Sequence, residues 1–303
     1  NPDKANPQIS PDGKRLAYLA PDEGVLNVWV RTIGKQDDRA VTSDRKRGVR
    51  AYFWAQSSDQ ILYIQDKDGD EDWHLYGVRL KGGKTRDFTP YPKVQARVEA
   101  IDPKFPDAIL VSVNVRDPKF HDVYRLDLRS GRLKLLLQND EGFVGWTADH
   151  DYQVRAGLKV GDDGSVLVHV RDSGDGKWRR QTTLGSEDAL TSGPIAFTAD
   201  GEALYMINSA GSNTGQLRRL DLQTGQEKVL ASDDTYDVAE VLIHPTKYYV
   251  QAVGFMKDRL TWQVLDPSIA DDFAAIAKLR DGDFRIRNRD LADRTWLVTF
   301  EMD

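Results

Sequence analysis

The amino-acid sequence predicts an all-β protein: a β-propeller of four-stranded antiparallel blades, about seven in number, with the last one incomplete. Three observations lead to this fold. A strand-turn-strand unit recurs about every 46 residues, a second marker keeps the same phase, and apolar residues alternate with polar ones inside the strands. A repeat of this length is typical of a propeller blade of four strands.

The first marker is a turn near the start of each unit. Residues 9–14 read Ile-Ser-Pro-Asp-Gly-Lys and precede a strand-like segment at 15–19. Proline presets φ and glycine accepts a positive φ, so this pattern predicts a tight turn between two strands. A similar unit occupies residues 197–207, and weaker copies begin near residues 54, 101, 146 and 243.

The second marker is a hairpin late in each unit. Residues 123–128 turn at Ser130-Gly131 into 133–137, and residues 217–222 turn at Thr224-Gly225 into 227–230. The alternation in these strands places one side of each against a neighbouring blade. Together the two markers predict blades over residues 7–42, 49–89, 94–138, 143–184, 192–231 and 236–266.

A seventh unit begins near Phe284, where residues 284–287 and 296–300 are predicted strands. An incomplete blade leaves an open sheet edge, which propellers avoid by closing the ring. We therefore expect residues 1–303 to form one propeller domain belonging to a longer protein.

One helix is predicted between the sixth and seventh units. Ser268 is a candidate N-cap, and Ile269, Phe273 and Ile276 fall on one helical face before Gly282. The helix is expected to serve packing.

Composition excludes several classes of protein. A hydrophobic content of 40% with 30% charged residues favours a packed fold, and no apolar run is long enough for a membrane span. A net charge of −6 argues against a general nucleic-acid binder. The absence of cysteine excludes disulfides and thiolate chemistry, but it leaves bacterial cytoplasm and periplasm equally open.

Known catalytic motifs are missing from the sequence. It contains no Gly-x-Ser-x-Gly elbow, no P-loop, no dinucleotide fingerprint and no His-Glu-x-x-His pair. We therefore predict no catalytic residue, no metal ligand and no cofactor in this chain. The histidines, scattered along the chain, are expected to be structural: His74, His121, His150, His169 and His244.

The densest acidic cluster is residues 66–72, Asp-Lys-Asp-Gly-Asp-Glu-Asp, between two predicted strands. Alternating carboxylates suit a calcium ion, although the EF-hand spacing is not met. A hairpin turn with Gly69 at a positive φ is the simpler interpretation. A third is that Asp70 or Glu71 presents its carboxylate to a ligand.

This cluster also carries a family resemblance. Residues 66–76 resemble the Asp-Gly-(Asp/Glu)-Glu-Asn-x-x-Leu-Tyr stretch in the propeller of the prolyl oligopeptidase family of serine peptidases, especially its acylaminoacyl-peptidase and dipeptidyl-peptidase-like bacterial members. Asp72 stands where the family usually has asparagine. The resemblance extends essentially end to end, through residues 6–18, 27–30, 114–118, 121–127, 145–151 and 154–156.

The resemblance implies a non-catalytic propeller that gates and orients peptides for a C-terminal α/β-hydrolase domain beyond residue 303. The expected partners are that domain and peptide substrates. Glu71 is a candidate contact for a peptide amine, and Arg116 and Arg155 for a carboxylate or carbonyl, with inter-blade ion pairs as the structural alternative. A TolB-like interaction propeller and a stand-alone propeller enzyme with a channel metal are the other hypotheses.

Overall fold

The computed structural model describes residues 3–302 and consists almost entirely of antiparallel sheets whose strands follow one another in sequence. The first three sheets are β1 (Ala5–Ile9), β2 (Arg15–Asp22), β3 (Val25–Thr32) and β4 (Arg39–Ala40); β5 (Tyr52–Trp54), β6 (Gln60–Gln65), β7 (His74–Arg79) and β8 (Thr85–Asp87); and β9 (Ala96–Ala100), β10 (Ala108–Asp117), β11 (Phe120–Asp127) and β12 (Leu133–Leu137). The next two are β13 (Gly145–Ala148), β14 (Val154–Val160), β15 (Val166–Val170) and β16 (Arg179–Leu184); and β17 (Gly193–Phe197), β18 (Ala203–Asn208), β19 (Gln216–Asp221) and β20 (Glu227–Ala231). The last strands are β21 (Val238–Ile243), β22 (Val250–Met256) and β23 (Leu260–Val264), then β24 (Asp283–Arg289) and β25 (Trp296–Glu301).

The predicted fold class is confirmed, but the blade count was wrong. Within the described residues the protein has six blades, not about seven, and the sixth has three strands rather than four. After β23 the chain forms a 3₁₀-helix (Pro267–Ile269) and α1 (Ala270–Ala277), at the place where the sequence predicts a helix. Both strands predicted near the C-terminus exist, yet β24 and β25 form a two-stranded sheet by themselves. That the protein is one domain continuing beyond residue 303 stays a prediction.

The helical segment starts differently from the prediction. Asp266, not Ser268, caps it, because the Asp266 carboxylate accepts a hydrogen bond from the Ser268 N–H at 2.9 Å. Hydrogen bonds from the Gln251 amide and from the Ser268 N–H hold the pKa of Asp266 well below its usual range. Ile269 and Phe273 are buried, as the predicted apolar face requires.

The turn marker has the geometry that its sequence predicts. Asp12 accepts hydrogen bonds from the Ser10 hydroxyl at 2.5 Å and the Lys14 N–H at 3.1 Å, and Gly13 has φ +70°. The corresponding turn of the fifth blade has the same pattern around Asp200, with Gly201 also at φ +70°. A short side-chain acceptor and a glycine thus define the connection between strands one and two.

The core lies between successive blades. In β6, Ile61 and Tyr63 pack into a cluster with the first blade, while Leu62 and Ile64 pack into a cluster with the third. Side chains alternate across a strand, so the second blade buries apolar residues on both faces. Each fully buried aliphatic side chain of this kind contributes about 1.5–3 kcal/mol to folding.

The chain separates into two compact units. The first extends to Asp140 and includes Ile286–Val298, and the second comprises Glu141–Arg285 and the residues from Thr299 onward. In residues 3–302 no helix is long and apolar enough to cross a membrane.

Candidate functional site

The predicted ligand-contacting residue Glu71 lies on the loop between β6 and β7. Gly69 has φ +88°, which confirms the predicted hairpin glycine, and Glu71 has φ +60°. The Asp70 carboxylate accepts hydrogen bonds from the Lys67 and Asp72 N–H groups, both at 3.1 Å. These local bonds stabilise the loop in a conformation that leaves the Glu71 side chain exposed.

Beside this loop lies a surface cavity of about 350 Å³ in the first unit, which we call the mixed-charge pocket. Lys46 Nζ is 3.0 Å from an Asp68 oxygen, and Arg47 Nη2 is 3.3 Å from an oxygen of Asp66, whose side chain is only 4% exposed. These ion pairs join the β4–β5 loop to the acidic loop. The pocket is lined by Ser43, Asp44, Lys46, Arg47, Tyr63, Gln65, Asp66, Lys67, Asp68, Tyr76 and Thr85.

The contacts of the acidic loop do not support the calcium interpretation. Asp66 and Asp68 each form an ion pair with a cationic side chain rather than facing a common central position. Across residues 3–302 no group of three or more His, Cys, Asp or Glu side chains is arranged to hold a metal ion.

Aromatic side chains form one wall of the mixed-charge pocket. The rings of Tyr63 and Tyr76 stack with centroids 5.3 Å apart, and the His74 ring stacks on Tyr76 while its Nδ1 lies 2.9 Å from Asp87. Burial raises the pKa of Tyr63 to about 12. Its hydroxyl is therefore protonated at neutral pH and can take part in hydrogen bonding but not in base chemistry.

Hydrogen bonds link the acidic loop to the β8–β9 loop, and the β8–β9 loop to the third blade. The Asp72 carboxylate accepts the Lys93 N–H at 2.8 Å, and Gln95 N–H donates to the Asn114 amide oxygen at 2.6 Å. Asp72, which replaces the asparagine of the family pattern, thus connects the acidic loop to the β8–β9 loop.

Arg116, the second predicted contact, is engaged in a bidentate ion pair. Its Nε and Nη2 atoms each lie 2.9 Å from an Asp122 oxygen, and Nη2 also donates to the Asn139 carbonyl at 3.0 Å. Burial opposes ionisation of Asp122, but hydrogen bonds from Arg116 and the Asn139 N–H lower the pKa of that carboxyl. The hydrogen bond to Asp122 in turn raises the pKa of Arg116. No contact of Nη1 with another residue is found within residues 3–302, so this nitrogen is open to an outside ligand.

Arg155, the third predicted contact, is largely buried in the second unit. Nη1 lies 3.4 Å from Asp149, Nε donates to the Arg171 carbonyl at 3.2 Å, and the guanidinium lies 5.1 Å from the Phe197 ring centre. Arg155 also borders a cavity of about 600 Å³. Its acidic lining residues are Asp172, Asp200, Glu202 and Asp221.

The three predicted contacts do not occupy equivalent positions. Glu71 and Arg116 lie where the second and third strands of their blades are joined. Arg155 lies at the beginning of β14, so it is at the opposite end of its own blade, beside the connection between strands one and two. Glu71 and Arg116 therefore share one kind of blade end, and Arg155 belongs to the other.

His121, one of the histidines predicted to be structural, lies near the start of β11. It is buried, and its Nε2 has no hydrogen-bond partner among the described residues. Burial and the nearby Arg97 charge lower the pKa of His121 to about 4. The imidazole is therefore neutral near pH 7 and buried in the third blade, which is what we expect of a structural histidine.

Sequence reasoning missed a second cavity on the second blade, of about 390 Å³, which we call the basic pocket. Its charged lining residues are Arg79, Lys84, Arg86 and Arg129, and the rest of the lining is Gln60, Gly77, Thr85, Phe88 and Leu128. Arg79, Lys84 and Arg86 are close together in the sequence of the second blade, whereas Arg129 comes from the third blade, so the sequence alone does not show that all four share one pocket.

Comparison with known proteins agrees with this architecture. No family model matches the chain. It is 41% identical over 99% of its length to dipeptidyl aminopeptidase BIII of Pseudoxanthomonas mexicana, and 27% identical over 99% to dipeptidyl peptidase family member 6 of Caenorhabditis elegans. The chain spans 44% and 43% of the lengths of these two relatives.

Part of a solved prolyl endopeptidase has the same fold. It matches with a TM-score of 0.62 at 12% identity, covering 87% of this chain and 41% of that one. The predicted resemblance is thereby confirmed: the chain is a β-propeller related to the propeller domains of the prolyl oligopeptidase and dipeptidyl peptidase family.

Proposed function

We propose that this chain is the non-catalytic propeller of a serine peptidase, and that it gates and orients peptide substrates for an α/β-hydrolase domain beyond residue 303. The observation that carries the proposal is the 41% identity, across nearly the whole chain, to a dipeptidyl aminopeptidase of more than twice its length. The absence of a Gly-x-Ser-x-Gly elbow from the sequence is consistent with a nucleophile supplied elsewhere.

Glu71 is the proposed contact for the substrate's amino group. Its carboxylate is exposed, and the surrounding loop is held by its own hydrogen bonds. A solvent-exposed carboxylate on a well-ordered loop can bind an ammonium group by charge-assisted hydrogen bonds. Arg116 and Arg155 are the proposed contacts for a substrate carbonyl or carboxylate. Each would bind it through the N–H groups that are not bonded to Asp122 or Asp149.

The proposal is tested with the full-length product of the gene and with this chain alone. Dipeptidyl and aminoacyl p-nitroanilides report hydrolysis, and a series of peptides of increasing length reports gating. We expect the full-length protein to hydrolyse short substrates and to discriminate against long ones, and this chain alone to be inactive. A full-length protein without peptidase activity would contradict the proposal and favour an interaction propeller.

The Glu71 assignment has its own test in the full-length protein. Glu71→Gln should raise KM for substrates with a free amino group about tenfold, with little change in kcat, because one charge-assisted contact is lost. Glu23→Gln is the matched control, since Glu23 is an exposed acid at positive φ on the corresponding β2–β3 loop. Equal KM values for the two variants would exclude Glu71 as the amine contact.

A further inference from the structure

The basic pocket has an unusual charge for this protein. Four cations line it and no carboxylate does, although the whole chain has a net charge of −6. Arg79, Lys84 and Arg86 form no ion pair with a described carboxylate. Arg129 forms one, with Asp107, at 2.7 Å. The pocket therefore holds a local excess of positive charge.

Two further acids lie close enough to Arg129 to offset part of its charge, without forming an ion pair with it. Asp127 accepts hydrogen bonds from the Arg129 and Ser130 N–H groups at 3.1 and 2.6 Å. Asp59 accepts one from the Ser57 hydroxyl at 2.5 Å. These two carboxylates act on Arg129 only through their charge.

Arg86 is held in position rather than moving freely in solvent. It donates to the carbonyls of Arg129 and Ser130, and its guanidinium lies 5.4 Å from the Phe88 ring centre. Gly131, at φ +72°, makes this position possible, because a Cβ there would overlap the guanidinium. Pinning an arginine in advance reduces the entropy lost when it binds a ligand.

We propose that the basic pocket binds a doubly charged oxyanion of the phosphate class, either free phosphate or the phosphoryl group of a larger ligand. Arg79 supplies a planar pair of donors that matches phosphate oxygens, and Lys84 adds a point charge. Arg86 and Arg129 add their charge and the N–H groups that their carbonyl and carboxylate partners do not use. A dianion neutralises the excess charge more completely than a carboxylate does. This site is separate from the proposed peptide contacts and does not depend on them.

The test is calorimetric titration of the full chain with inorganic phosphate, O-phosphoserine and glutamate at constant ionic strength. We expect saturable binding of both phosphate compounds and at least about tenfold weaker binding of glutamate, whose side chain carries a single negative charge. Tighter binding of phosphoserine than of phosphate would identify the phosphoryl group of a larger ligand, and the reverse would identify free phosphate. Glutamate binding as tight as phosphate binding would overturn the proposal.

Two substitutions place the binding in the pocket. Lys84→Gln and Arg86→Lys should each weaken phosphate binding at least about fivefold, the first by removing a charge and the second by removing the guanidinium fork. Lys228→Gln removes one positive charge from an exposed position on β20 and should change binding less than about twofold. Circular dichroism confirms that each variant is folded. Equal weakening by all three substitutions would show non-specific charge attraction and overturn the site.

Discussion

The second blade has a pocket on each side, and the two pockets differ in whether their cations are matched by acids. The mixed-charge pocket, toward the first blade, contains three acids and three cations. The basic pocket, toward the third blade, contains four cations and no acid. Tyr76 borders the first and Gly77 the second, because consecutive residues of β7 point to opposite faces. One strand can therefore support two chemically different surfaces.

The difference also extends to what holds each pocket together. The mixed-charge pocket depends on ion pairs between two loops, such as Arg47 with Asp66. The basic pocket has a floor of close apolar packing, in which Gly77 lies against Phe88 and Leu62. Ion pairs at a surface contribute little to stability, whereas tight packing tolerates few changes. We therefore expect substitutions in the floor of the basic pocket to have the largest effects.

Gly77→Ala should be the most damaging substitution. An added Cβ would lie 2.5 Å from Phe88 Cε2 and 2.9 Å from Leu62 Cδ2, and both side chains are buried. Overpacking of this kind costs about 2 kcal/mol or more, which exceeds the gain from restricting the unfolded chain. Urea unfolding measures the loss.

Gly193→Ala is the matched control for this substitution. Gly193 lies in a strand, and nothing is within 4 Å of a Cβ built there. Its free energy of unfolding should stay within about 0.5 kcal/mol of the parent value. If Gly77→Ala were equally harmless, the packed floor would not be what distinguishes the basic pocket.

Arg47→Gln should have an intermediate effect on the mixed-charge pocket. It leaves the buried Asp66 carboxylate without its cation, while Arg47 itself is about one-third exposed, so solvent reduces the loss to about 1 kcal/mol. Arg50→Gln is the control, because Arg50 is an exposed cation on the same loop. Equal urea midpoints for the two variants would show that the ion pair does not stabilise the loop.

Features that depend on interactions between residues close together in the sequence could be predicted, whereas features that depend on distant residues could not. The turns at Gly13 and Gly201 depend on side chains within a few residues, so their geometry could be read locally. The blade count failed because β24 and β25, which the repeat assigns to a seventh blade, form a two-stranded sheet by themselves. The place of these strands depends on contacts with residues far away in sequence, such as the hydrogen bonds between Asn288 and the backbone of Ile9, which a repeat pattern does not contain.

The candidate site shows the same distinction. The exposure of Glu71 follows from its own loop, whereas the neutralisation of Arg116 by Asp122 depends on β10 and β11 being paired. The ion-pair alternative raised for Arg116 and Arg155 describes the observed contacts, although both acids lie within the arginine's own blade. The basic pocket could not be predicted, because Arg129 joins the other cations only when the third blade packs against the second.

The smallest expected effects compare one exposed lysine from each pocket. Lys84→Gln removes one of four positive charges from a pocket that has no acidic lining residue, so it should leave stability unchanged or raise it by at most about 0.5 kcal/mol. Lys46→Gln removes the partner of Asp68 and should lower stability by a similarly small amount. Both differences should fade as salt is raised, because the Debye length falls from about 30 Å at 0.01 M to about 3 Å at 1 M. Urea unfolding at low and high salt measures both variants, and the same sign of change for the two would show that the pockets do not differ in charge balance.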